Sequence, residues 1–147
     1  MMALRFNPAK GTIDLLFNDD GSLVDDETRA LETAVLVSLH TNRRVEPSEV
    51  ARNVSRGGWW GDAYRPEGEP LEGSRLWLLT SADSSERDLV QRAQEYARNA
   101  LAWMLEDDVV ESLEVVAERV RPDLIDLTVA AKVADGRRAL IRTELAA

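Results

Sequence analysis

The sequence predicts an α+β domain: an antiparallel C-terminal β-meander covered by a long amphipathic helix, with an N-terminal strand/helix segment and a Gly/Trp-rich loop ahead of them. Three observations carry this. Apolar residues recur at helical spacing between residues 84 and 106, so one face of a helix is apolar. From Leu113 onward they alternate instead, as on a half-buried strand. Asp135-Gly136 separates two such alternating runs, and that dipeptide is a strong hairpin signal. The whole of 1–147 suits one domain. Its parts are a strand and first helix over 12–55, the Gly/Trp-rich motif over 56–80, the long helix over 84–106 and the antiparallel sheet over 113–145.

In chain order, Thr12 to Phe17 alternates weakly and reads as a short strand. Asn18-Asp19-Asp20-Gly21 then supplies turn chemistry, without the spacing of a calcium loop. Asp25 or Asp26 caps a helix from about Glu27 to His40. Leu31, Ala34, Val35 and Leu39 share one face of it, while Leu36 and Val37 fall off that face. A helix apolar on several sides is covered from more than one direction, and in so small a protein part of that cover is expected from another chain. His40 closes this helix in a capping or solvent-facing role, and Glu46-Pro47-Ser48-Glu49 turns the chain.

The Gly/Trp stretch follows. Three of the four tryptophans and five of the eight glycines lie between positions 57 and 77. Each Trp buries roughly 150–250 Å², so such rings press either on the core or on a partner. Tyr64 to Pro70, with two prolines and no periodicity, is a loop. The long helix spans about Ser84 to Glu106, with Ser81 to Ser85 offering its N-cap. Its apolar face holds Leu89, Ala93, Tyr96, Ala100, Trp103 and Met104, and the alanines leave room for a close neighbour. Leu113, Val115 and Ala117 begin the sheet, Arg121-Pro122-Asp123 breaks it, Ile125 to Val133 alternates most cleanly, and Ala139, Ile141, Thr143 and Leu145 return. The opposite face carries Asp126, Thr128, Lys132, Arg142 and Glu144.

A net charge of −9 argues against nucleic acid and against anionic membrane surfaces, both of which attract basic faces. No apolar run approaches the roughly 20 residues of a membrane-spanning helix, and Met1 to Lys10 lacks the apolar core of a signal peptide. Without cysteine there is no disulfide framework or thiolate metal site, which suits a reducing cytoplasm. Neither a cofactor nor a metal is expected. The glycine spacing Gly57-Gly58-x-x-Gly61 matches no dinucleotide or phosphate loop. One histidine makes no Ser/His/Asp set. The remaining catalytic candidate is Glu106-Asp107-Asp108 with Glu111, which reads as a solvated helix corner unless a sugar-binding cleft holds two carboxylates in unequal environments.

Arg56-Gly57-Gly58-Trp59-Trp60-Gly61-Asp62 with Gly73-Ser74-Arg75-Leu76-Trp77-Leu78-Leu79, after a helix reading Leu31-Glu32-Thr33-Ala34-Val35, resembles the Mu-like prophage family of small tail baseplate proteins of the gene product 46 type. The resemblance covers nearly the whole chain. That family in turn is similar to the small wedge subunit of contractile-tail baseplates in T-even phages and related injection machines. The resemblance implies a helix-covered antiparallel sheet like the strand-exchanging domain of tail sheath proteins. It also implies a structural, non-enzymatic role in the virion tail baseplate after assembly in the bacterial cytoplasm, with other wedge proteins and the sheath as partners. The broader wedge family carries a Glu-Pro-Arg triplet between helix and sheet; this chain departs from it, with Glu106-Asp107-Asp108-Val109 there. The alternative function is a peptidoglycan-cleaving, lysozyme-like tail enzyme using the acidic cluster.

Three surfaces are expected to meet partners. Adjacent residues of an extended segment face opposite ways, so either Trp59 or Trp60 stays outside the core, with Arg56, Asp62, Arg75 and Trp77 around it. Leu36 and Val37 leave the first helix a docking face, which leaves room for self-association. The last strand, through Ala139, Leu140, Ile141, Arg142 and Thr143, lacks Pro and Gly and offers an edge for β-strand addition, as does the Leu113–Val120 side.

Overall fold

A computed structural model describes residues 4–7, 9, 12–15, 17, 19, 29–69, 71–81 and 86–147. The turn at Asn18, Asp20 and Gly21, the caps at Asp25 or Asp26, and Ser84 and Ser85 lie outside the described residues. The elements are β1 (Leu4–Asn7), β2 (Thr12–Leu15), α1 (Ala30–His40), α2 (Glu86–Glu106), β3 (Ser112–Arg121), β4 (Leu124–Lys132) and β5 (Arg138–Ala146). Short 3-10 helices stand at Pro47–Glu49, Trp60–Tyr64 and Leu76–Ser81. The architecture is α+β, as expected.

The three-stranded sheet is antiparallel in the order β3-β4-β5. Its register sets Val115 beside Val129 and Val129 beside Ile141, with Ala117, Leu127 and Thr143 in the next inward row. These side chains are all buried under the helices. The alternation read from the sequence therefore names the inner face correctly, because a period of two residues puts every second Cβ on one side. Leu89, Ala93, Ala100 and Met104 of α2 are buried as expected, joined by Ala97 and Leu101. The small residues bring α2 down onto β3 and β4. Truncating a fully buried side chain such as Leu127 to Ala leaves a cavity costing about 2–5 kcal/mol.

The amino-terminal region departs from expectation. β1, too short to show a period in the sequence, pairs antiparallel with β2, Phe6 opposite Ile13. Phe6 is buried, and β1 packs against α1. The Leu4 N–H donates to Thr33 Oγ1 at 3.0 Å, and Trp103 Nε1–H donates to Ser38 Oγ at 3.1 Å, so both buried hydroxyls of α1 are satisfied. The second cover for α1, expected from another chain, is thus supplied by β1. With α2 and β5 also packed on α1, Leu36 is 0% exposed and belongs to the core, which corrects its assignment as a partner contact; Val37 remains 47% exposed.

Candidate functional site

The Gly/Trp motif first acts on its own fold. The chain leaving α1, Thr41 to Val45, runs between two arms of the motif. On one side Ser74 N–H donates to Thr41 O at 2.8 Å and Arg43 N–H to Ser74 O at 2.9 Å. On the other, Gly58 N–H donates to Asn42 O at 3.1 Å and Val45 N–H to Arg56 O at 3.0 Å. Gly73 permits the approach: its φ is +92°, and a Cβ there would stand 2.2 Å from Thr41 O. Side chains complete the clamp. Ser74 Oγ donates to Leu39 O at 2.5 Å, Arg56 Nε to Val45 O at 2.7 Å, and Trp77 Nε1 to Arg43 O at 3.0 Å. Arg75 Nε lies 3.1 Å from Glu49 Oε1, an ion pair without hydrogen-bond alignment. Arg56, Arg75 and Trp77 are therefore engaged internally.

What the clamp leaves outside is aromatic. Trp59, Trp60 and Tyr64 are 42%, 75% and 84% exposed. Trp59 and Trp60 have ring centroids 5.4 Å apart, and Tyr64 meets Trp60 edge-on at 6.4 Å. Both rings stay outside the core, but they lie together rather than facing opposite ways, for a local reason. Trp59 is extended, with φ −95° and ψ 138°, but a 3-10 turn starts at Trp60, so the two rings come together rather than alternating. The same turn brings Tyr64 to the cluster, and the sequence reading missed it. Its signal was the four-residue spacing from Trp60, which carries meaning only once the segment is helical. Asp62 stiffens this platform: its Oδ1 accepts from Arg65 Nε at 3.2 Å and from Glu72 N–H at 3.4 Å, while Arg65 Nη2 donates to Glu72 at 2.8 Å.

The sheet has two edges, and they differ. In an antiparallel ladder the backbone groups of successive residues point to alternate sides. Val133 N–H bonds to Arg137 O and Ala147 N–H to Asp123 O, so the odd-numbered residues of β5 aim at β4. Arg138, Leu140, Arg142 and Glu144 aim outward, and among the described residues none of their backbone groups has a hydrogen bond on that side. Ile141 points inward. Carried across β4, the same alternation turns the odd residues of β3 outward. There α2 caps them: Ala117 N–H donates to Gln94 Oε1 at 3.2 Å, and Arg98 Nη2 donates to Val115 O at 3.4 Å. Of the two edges considered in the sequence, the β3 side is blunted by its own helix, and the β5 side is open among the described residues.

The acidic corner is a helix cap. Val109 N–H reaches back to Met104 O at 2.9 Å and Asp108 N–H to Leu105 O at 3.3 Å, with Asp108 left-handed at φ 55°: a Schellman ending. Glu106, Asp107, Asp108 and Glu111 are all exposed, and Glu111 pairs with Lys132 at 2.8 Å. His40, an exposed residue with a part-buried ring nitrogen, puts Nε2 2.8 Å from Oγ1 of buried Thr143. Desolvation there lowers its pKa below the ordinary histidine value.

Comparison with known proteins adds two relatives and a family. The family described as phage protein GP46 matches residues 31–138. The chain is 40% identical over 134 residues to a protein named baseplate protein gp46 of Escherichia phage Mu, covering 90% of this chain and 83% of that one. It is 32% identical over 135 residues to the Mu-like prophage FluMu protein gp46 of Haemophilus influenzae, covering 92% of this chain and 88% of that one.

Proposed function

This chain belongs to the phage protein GP46 family, and from that premise we propose that it is a structural, non-catalytic component of a phage or prophage contractile-tail baseplate. Two surfaces serve assembly in this reading. The Trp59–Trp60–Tyr64 platform anchors a larger wedge protein: exposed aromatic rings on a braced loop lose little freedom when they become buried. The open β5 edge accepts a strand of the tail sheath, with main-chain bonds giving affinity and alternate side chains giving register. The protein acts in the virion tail baseplate and is assembled into it in the host cytoplasm.

The observation that supports this most is the inequality of the two edges. Monomeric proteins blunt exposed strands, and this one does so on β3 with Gln94 and Arg98, while among the described residues nothing covers the β5 edge. The catalytic alternative has no comparable support, since Glu106 to Asp108 form the backbone-bonded end of a helix with their carboxylates exposed, and Glu111 pairs with a lysine. A proline at Leu140 tests the reading, because that amide points outward and its loss leaves the internal ladder intact. Baseplates carrying folded Leu140→Pro protein are expected to fail to nucleate sheath; normal sheath growth on them would exclude this edge.

A further inference from the structure

The open edge carries two charges that the fold leaves unanswered. Arg138 stands at its start and Glu144 near its end, both on the outer face of the sheet, and among the described residues neither has an ion-pair or hydrogen-bond partner for its side chain. Arg142 between them is different: its Nε donates to Asp126 Oδ2 at 2.8 Å. Leu140, also on this face, is 76% exposed.

We propose that a second copy of this chain occupies the β5 edge of the free protein, antiparallel, about a twofold axis through Ile141. A twofold axis normal to the sheet sets residues whose numbers sum to a constant opposite each other. Centred on Ile141, it places Arg138 opposite Glu144 of the second copy, and Leu140 opposite Arg142 of the second copy, each pairing occurring twice. All four residues present outward backbone groups, so the hydrogen-bonded rows fall where donors and acceptors stand free. Their side chains stay on the outer face and the Ile141 side chains on the inner one, so both helix layers lie on the same side of a continuous six-stranded sheet.

Charge selects this register. Centring on Leu140 sets Arg138 opposite Arg142 of the second copy, and centring on Arg142 sets that residue opposite itself; like charges facing across strands are unfavourable. Centring on Thr143 pairs Glu144 with Arg142, which Asp126 already holds, and strands Arg138. Only the Ile141 register unites the unused cation with the unused anion. One strand against another buries less than the roughly 1,200 Å² of stable complexes, so the dimer is weak and reversible, which suits an edge later given to another strand. The inference rests on the edge being open and not on which assembly partner takes it.

Sedimentation equilibrium of the full chain, from about 10 µM to 1 mM, tests it without any baseplate component. The expected result is a concentration-dependent dimer. Arg138→Glu and Glu144→Arg should each weaken it about tenfold or more, and the two together should restore it to within about threefold, because the swap re-forms both cross-strand pairs. Trp60→Ala should leave it unchanged. A chain monomeric throughout that range overturns the proposal. So does a dimer indifferent to both reversals, or one that survives them and is lost on Trp60→Ala, which would place the contact at the aromatic platform. Sheath nucleation by the Leu140→Pro protein is read separately, so either result stands without the other.

Discussion

The two edges of the main sheet differ less in their own residues than in what lies beside them. β3 is as long and as rich in valine as β5 is in aliphatic residues, and neither contains proline or glycine. Yet Ala117 N–H and the Val115 carbonyl are closed by Gln94 and Arg98 from α2, whereas the outward groups of Leu140 and Arg142 meet nothing within the described chain. An edge is made inert or receptive by its neighbours. The Gly/Trp motif shows the same division: Trp77 is spent on the Arg43 carbonyl while Trp60 is left in solvent.

The strongest way to break this comparison is a pair of prolines one residue apart. Ile141→Pro removes an inward amide from the β4–β5 ladder and is expected to cost about 3 kcal/mol or more. Leu140→Pro removes an outward one and should cost only about 1 kcal/mol. Urea denaturation of both variants measures the difference; equal losses would mean that the amides do not alternate as described. A second contrast uses the tryptophans. Trp77→Ala loses a ring and a hydrogen bond and should destabilise by about 2–4 kcal/mol. Trp60→Ala should stay within about 1 kcal/mol while weakening baseplate assembly by about 2 kcal/mol or more, the signature of an interface anchor.

A third variant sharpens the comparison from the closed side. Gln94→Ala opens the Ala117 amide and should cost about 1–2 kcal/mol, with faster hydrogen exchange at that amide than at its inward neighbours. The smallest effect concerns the inner face of β5, where His40 meets Thr143. Its folded pKa lies below the 6.5 of an unfolded histidine because burial disfavours the charged ring. The unfolded chain therefore takes up the proton first. This contribution to stability is complete above about pH 6.5 and is lost as pH falls through the lower folded value. Thermal unfolding between pH 7.5 and 5 should show a slope that His40→Gln reduces; an unchanged slope would place the effect elsewhere.

Local order was legible in the residues themselves. The alternation from Ile125 to Val133, the Asp135-Gly136 turn and the apolar face from Leu89 to Met104 depend on periodicity and backbone preference, which a short window contains. So, by its residues, was the family. What tertiary structure decided are the matters of who stands next to whom. Leu36 is core because α1 is packed on several sides, by β1, a strand too short to show a period, and by α2 and β5. Trp59 and Trp60 share a side because a 3-10 turn interrupts an extended segment. Whether a strand edge is open turned on Gln94 and Arg98, residues that read in sequence only as the polar face of a helix. Hydrogen bonds between elements far apart in the chain leave no periodic trace, so the closed edge and the open one look alike until the helix is laid across one of them.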